Sequence, residues 1–193
     1  MEKFLKCYPF KDQRIKLVEG FRAYDGYLGD KKGAVHKGID YVLELEKGRF
    51  ITFDVFSAHD GEVFQSWSKR GWGKFVVIYK KIKKRRFITI YAHLAIVHPQ
   101  IPSLNQRIKD KKENFVINEG KFLGKAGVTG WAKGRIQLHF ELQIENRRGE
   151  WIKIDPYGLD DVASSGKYPQ PGQSLSGLEH FWTSDRPPFA DKL

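Results

Sequence analysis

The sequence predicts an all-β protein, an antiparallel sandwich or barrel-like fold in a single domain followed by an extended C-terminal tail. Three observations carry this expectation. Between residues 41 and 94 short runs of β-branched and aromatic residues recur, each closed by turn residues, which is the pattern of successive strands. A length of 193 residues with 40% hydrophobic and 14% aromatic side chains suits one β-rich core and is too short for two large domains. The stretch Gln137-Leu138-His139-Phe140-Glu141-Leu142 alternates, with Leu138, Phe140 and Leu142 on one face of a strand and Gln137, His139 and Glu141 on the other. Residues 1–34 then lead into the domain, 35–159 form it, and 160–193 are the tail.

Taken in order, the first strand is expected over residues 14–19, after a turn near Pro9. Residues 21–35 read as a polar, glycine-containing loop that carries Tyr24 and Tyr27. Strands follow over residues 41–45, 50–55, 62–67, 74–81 and 87–94. Asp60-Gly61 is a turn signal and places His59 in a loop. The basic run from Lys80 to Arg86 lies between two strands and reads as a solvated hairpin tip. Residues 95–112, with Pro99 and Pro102, form a connection with one short helix, in which His98 has no assigned role. Residues 115–124 read as strand, turn and strand. Gly127-Val128-Thr129-Gly130-Trp131 is a glycine-bounded loop; its glycines permit positive φ and the close approach of a substrate backbone, and Trp131 is placed to line a cleft. The last strand, Trp151-Ile152-Lys153-Ile154, stops at Asp155-Pro156. Beyond it the composition turns to Ser, Gly and Pro. Phe181, Trp182 and Phe189 suggest that part of the tail docks, while His180 is expected at the surface.

The candidate chemistry lies in two distant segments. His36-Lys37-Gly38-Ile39-Asp40 offers an imidazole and a carboxylate four residues apart, both of kinds that zinc accepts. A straight strand would separate them by about 13 Å, and Gly38 with the β-prone residues after it disfavours a helix. Gly38 is therefore read as a bend that lets His36 and Asp40 converge. With His139 they make three ligands and leave a fourth tetrahedral position for water, the arrangement of a catalytic rather than a structural zinc ion. Thr89, Tyr91 and His93 alternate onto one face, which directs His93 toward the side where His139 points.

The ordered blocks His36-x-Gly38-x-Asp40, Gly61-Glu62-Val63, Gly73 to Ile78, Tyr91-Ala92-His93-Leu94, Gly124 to Gly130 and His139-Phe140-Glu141 resemble the lysostaphin-type or LytM-like zinc metallopeptidases over roughly residues 35–156. The resemblance implies the duplicated-hybrid-motif β fold and a zinc endopeptidase that cuts peptidoglycan cross-bridges or stem peptides. It implies one Zn²⁺ on His36, Asp40 and His139, with His93 beside the metal-bound water. The family carries a second such histidine two residues before the last ligand, where this chain has Gln137. It also implies a substrate cleft bordered by the loop with Tyr24 and Tyr27; Gly130 and Trp131, read from the residues above, are the other expected contacts. A glutamine donates hydrogen bonds but does not shuttle protons, so a slow enzyme is one expectation. A zinc-containing but idle domain that binds cell wall or regulates another hydrolase is the alternative.

A net charge of +11 calls for an anionic partner, and anionic cell-wall polymers qualify. Arg70 to Tyr79 has a superficial likeness to an RNA-binding signature strand. Its register fails at Lys74 and no βαββαβ alternation surrounds it, so nucleic acid is not expected. No apolar run approaches the roughly 18 residues of a membrane span. Met1 to Arg14 lacks the apolar core of a secretory signal, although the family resemblance implies the cell envelope or exterior. Cys7 is alone, which excludes an internal disulfide, and a monomer is expected.

Overall fold

The computed structural model describes residues 2–21, 36–109, 115–159 and 168–190. In chain order its strands are β1 (Lys16–Glu19), β2 (Ile39–Glu46), β3 (Arg49–Ile51), β4 (Asp54–Phe56), β5 (Gly61–Ser68), β6 (Gly73–Ile82), β7 (Arg85–Ala92), β8 (Leu94–Val97), β9 (Val116–Ile117), β10 (Phe122–Ala126), β11 (Leu138–Glu145) and β12 (Trp151–Ile154). A short helix, α1 (Leu104–Lys109), sits in the connection where one was expected. The larger sheet runs β1-β2-β11-β7-β6-β5-β9, with β3 added to β2 and β12 to β11; the smaller runs β4-β10-β8. The paired strands are antiparallel. Among the described residues the ends β1 and β9 do not meet, so the fold is a two-sheet stack and not a closed barrel. No helix among them is long and apolar enough to cross a membrane.

The core lies between the sheets. Val55, Leu94 and Leu123 from the smaller sheet meet Val76, Ile78, Tyr91, Leu138, Phe140 and Leu142 from the larger. The opposite face of β6 and β7 is also apolar, with Phe75, Val77, Ile90 and Ala92 packed under Phe64, Trp72 and Ile88. Burial on both faces explains why Phe75-Val76-Val77-Ile78 runs apolar without alternation.

Three expected β stretches are built differently. Residues 50–55 divide between β3 and β4, in different sheets. The chain crosses at Thr52-Phe53, where Thr52 Oγ1 donates to Ala126 O at 2.7 Å and Ala126 N donates to Phe53 O at 2.9 Å. Residues 115–124 supply β9 and β10, which join different sheets instead of pairing with each other. Residues 87–94 break at His93, whose φ of 64° ends β7.

The C-terminal residues 168–190 contain no long strand but are integral to the core. Leu5 and Trp182 form a parallel bridge, Phe4 N and Leu5 N both donate to Phe181 O, and Ala190 N donates to Phe10 O. Leu175 is fully buried and Phe181 nearly so; burying side chains of this size stabilises by about 1.5–3 kcal/mol each. His180, expected at the surface, is also fully buried, with Nε2 at 3.0 Å from Asp185 Oδ1. His59 lies in the loop before β5 as expected and is fully buried there, its Nε2 at 2.8 Å from Thr89 Oγ1.

Candidate metal centre

Strand β11 lies between β2 and β7, so His139 is paired with Asp40 on one side and with Ala92 on the other. His36 precedes β2 and folds back over Asp40. Three donor atoms then form a nearly equilateral triangle. His36 Nε2 is 3.1 Å from Asp40 Oδ1 and 3.0 Å from His139 Nδ1, and His139 Nδ1 is 3.0 Å from Asp40 Oδ1. Ligands at 2.0–2.1 Å around a tetrahedral zinc ion stand roughly 3.3–3.4 Å apart, within a few tenths of an ångström of this triangle. All three residues are buried.

The hydrogen bonds behind the triangle fix which nitrogen faces inward. His36 Nδ1–H donates to Gly20 O at 2.9 Å, which leaves the Nε2 lone pair for the centre. His139 Nε2–H donates to Glu141 Oε2 at 3.3 Å, leaving Nδ1. Glu141 is itself 1% exposed and is held by Gln143 Nε2, by Lys153 Nζ at 3.1 Å and by Trp72 Nε1 at 3.4 Å. The outer oxygen of Asp40, Oδ2, accepts from Arg135 Nη2 at 3.1 Å, and the same nitrogen reaches Glu19 Oε2 at 3.2 Å. The donor set, its burial and its anchored tautomers fit one zinc ion.

Gly38 makes the bend possible by what it lacks. A Cβ there would stand 2.6 Å from His139 Cε1 and Nε2 and 2.8 Å from the Phe140 carbonyl oxygen. The expected bend is present, but the requirement for glycine comes from the His139 ring lying against it.

His93 reaches the same side by a route that alternation does not give. Thr89 and Tyr91 pair with Leu142 and Phe140 and face the core, so the expectation that His93 shares their face is overturned. Its left-handed backbone reverses the alternation, and its ring centroid lies 5.7 Å from that of His139. Backbone N–H of His93 donates to Trp72 O at 2.8 Å, and Nδ1–H donates to Thr129 O at 2.8 Å.

The electrostatics follow from burial and neighbours. Burial alone would raise the Asp40 carboxyl, yet the imidazoles of His36 and His139 hold it well below the carboxylate range. Burial would lower His139, but Asp40 and Glu141 outweigh it and hold it up at about 9. The proton it keeps is one that a divalent cation displaces. Burial drives His93 down to about 4, with His139 adding to the effect, so its ring is neutral at pH 7.

Gln137 is 1% exposed, and its Oε1 accepts from Arg135 Nε at 2.6 Å. One guanidinium thus links Gln137 to Asp40. Gly130 has φ of 69°, and a Cβ there would meet Gly71 O at 2.3 Å. The close approach it allows here is to the chain's own residues 71–73. Trp131 is half exposed, with its backbone N–H donating to Gly71 O at 2.8 Å. Tyr24 and Tyr27 lie outside the described residues. On the same face, a groove of about 640 Å³ runs past Trp72, Phe75, Val77, Ile90 and Trp151. Arg135, Glu19 and the Gly20 carbonyl were not singled out from sequence. Arg135 alone carried a signal, two residues before Gln137 in the same alternation.

The model of peptidase family M23 matches residues 34–153. Among solved structures, a zinc-containing peptidase from Vibrio cholerae is similar at 22% identity and a TM-score of 0.54, over 79% of this chain and 39% of that one. The chain therefore spans well under half the length of that relative. The catalytic domain of lysostaphin from Staphylococcus simulans is similar at 19% identity and a TM-score of 0.52, over 76% of this chain and 95% of that one. The SpoIIQ–SpoIIIAH pore-forming complex contains a chain similar at 19% identity and a TM-score of 0.53, over 88% and 99%. At these identities the likeness is one of fold. No curated protein matches the chain in sequence.

Proposed function

We propose that this chain, which belongs to peptidase family M23, is a zinc-dependent endopeptidase acting on the peptides of peptidoglycan. The observation that carries the reading is the triangle of His36 Nε2, Asp40 Oδ1 and His139 Nδ1, with sides of 3.0 to 3.1 Å and the two imidazole tautomers fixed from behind.

His36, Asp40 and His139 would hold the zinc ion, which when bound would supply Lewis acidity to a peptide carbonyl and lower the pKa of a water molecule toward about 7. His93 does the proton work. With Nδ1–H committed to Thr129 O, its Nε2 is the free base, and its depressed pKa keeps it neutral. It takes a proton from the attacking water and returns it to the leaving amine nitrogen as the C–N bond breaks. Gln137, its oxygen occupied by Arg135, retains amide N–H groups to offer the carbonyl oxygen but carries no proton between atoms. Loss of a proton-transfer group typically costs 10²–10⁴-fold in rate, so turnover is slow. The +11 charge and the basic hairpin between β6 and β7 support anionic cell-wall polymers as partners.

Gln137 supports one other reading, a zinc-containing domain that binds cell wall or regulates another hydrolase without turnover. The test is release of new amino groups from purified peptidoglycan and from oligoglycine-bridged peptides, with and without a chelator. Chelator-sensitive release is expected. None at high protein concentration, with zinc bound, selects the binding domain.

A further inference from the structure

Outside the segment that matches the peptidase family, residues 34–153, the two ends of the chain meet behind the metal centre. Strand β1 and the residue after it supply two supports. The Gly20 carbonyl accepts from His36 Nδ1 at 2.9 Å. Glu19 Oε2, 3.2 Å from Arg135 Nη2, holds the guanidinium that reaches Asp40 Oδ2 at 3.1 Å. Both supports depend on where residues 19–21 lie, and β1 is only four residues long.

The C-terminal segment fixes that position. Gln170 acts as an extra rung on β1: its Oε1 accepts from Leu17 N at 2.9 Å and its Nε2 donates to Leu17 O at 3.1 Å. The ring of Tyr168 lies on Gly20 so closely that a Cβ on that glycine would stand 2.2 Å from Tyr168 Cε2. The Tyr168 hydroxyl accepts from Phe21 N at 3.1 Å and donates to Asp155 Oδ2 at 2.7 Å. Asp155 is buried and anchored in turn by Tyr157 N at 2.9 Å and Leu159 N at 3.1 Å. An unbroken set of contacts therefore runs from buried Asp155 through Tyr168 to the Gly20 carbonyl and His36.

We propose that Tyr168 and Gln170 are positioning residues for the metal centre, and that the C-terminal segment sets its zinc affinity by clasping β1. The clasp rests on the zinc reading given above. Partners that orient a metal-bound histidine typically change metal affinity by 10–100-fold. Tyr168 and Gln170 act one step further out, so the lower end of that range applies.

The test measures zinc affinity of the full-length apo protein by competition with a chromogenic chelator, alongside its melting temperature. Tyr168→Phe keeps the ring and removes the hydroxyl; Gln170→Ala removes the rung. Each is expected to weaken zinc binding about tenfold and to alter the visible spectrum of the cobalt(II)-loaded protein. Leu175→Ala, a truncation of a fully buried side chain in the same segment, is the control for destabilisation alone. It is expected to lower the melting temperature and leave zinc affinity within twofold of wild type. If wild type binds zinc and both clasp variants bind it equally well, the clasp is wrong and the centre stands. The clasp is equally wrong if Leu175→Ala weakens zinc binding as much as they do. If wild type binds no zinc, the centre itself is wrong and the clasp falls with it.

Discussion

His139 and Glu141 stand on one face of β11, and the Nε2–H of the first donates to the carboxylate of the second at 3.3 Å. The metal-facing nitrogen of His139 is thus chosen by a residue two positions along its own strand. Glu141→Gln keeps the shape but removes the charge that favours this tautomer, and strands Lys153 beside a neutral amide. Zinc affinity is expected to fall 10–100-fold, read by chelator competition, with the far-ultraviolet circular dichroism unchanged. Affinity equal to wild type would remove Glu141 from the centre.

Gly38→Ala tests the bend. The new Cβ would stand 2.8 Å from the Phe140 carbonyl oxygen, which is backbone and unable to swing away, and 2.6 Å from the His139 ring. Such overpacking typically costs about 1–3 kcal/mol. Urea denaturation is expected to show a loss of that order, with zinc binding weakened at least tenfold because His139 is displaced.

Gln137→His tests the departure at position 137. An imidazole there that does not accept from Arg135, as Gln137 Oε1 does at 2.6 Å, has a lone-pair nitrogen free to take up and return a proton, which the amide lacks. Amine release from peptidoglycan is expected to rise at least tenfold. An unchanged or lower rate would mean that a proton-transfer group at position 137 adds nothing to the work of His93.

A pH effect is expected from His59, far in function from the metal. Burial holds its pKa at about 4, against an ordinary 6.5. Between those values the unfolded chain takes up a proton that the folded chain refuses, so stability is full above about pH 6.5 and falls as the pH drops toward 4. At pH 5 the loss is about 2 kcal/mol for a difference of this size. Urea unfolding in a chelator, at pH 7.5 and pH 5, is expected to show wild type losing about that much more than His59→Gln. Parallel losses in the two proteins would contradict it.

The sequence revealed some residues of the centre and hid others. His36, Asp40 and His139 were legible because each sits in a short block whose residue types and order bear on metal chemistry, and a register of antiparallel pairs brings the blocks together. The face of His93 was not legible. Alternation sends it to the core beside Tyr91, and only a φ of 64° at a non-glycine residue turns it back. The boundary inside residues 50–55 was hidden for a related reason, since a crossing between sheets keeps the same β-prone composition on both sides. The supports were hidden by distance: Gly20 contributes a carbonyl, which every residue has, and Tyr168 acts across 147 residues of sequence on Phe21. His180 was misplaced because a histidine among Ser, Pro and Gly residues reads as solvent-facing, whereas this segment folds into the core.

The most direct measurement is the metal content of the purified protein after incubation with one equivalent of zinc and exhaustive dialysis, for wild type and for His36→Ala, Asp40→Ala and His139→Ala. One zinc ion retained per wild-type chain, and at least a hundredfold weaker binding in each variant, is the expected result. A folded wild-type protein that retains none, or variants that retain it as wild type does, would contradict the three-residue centre.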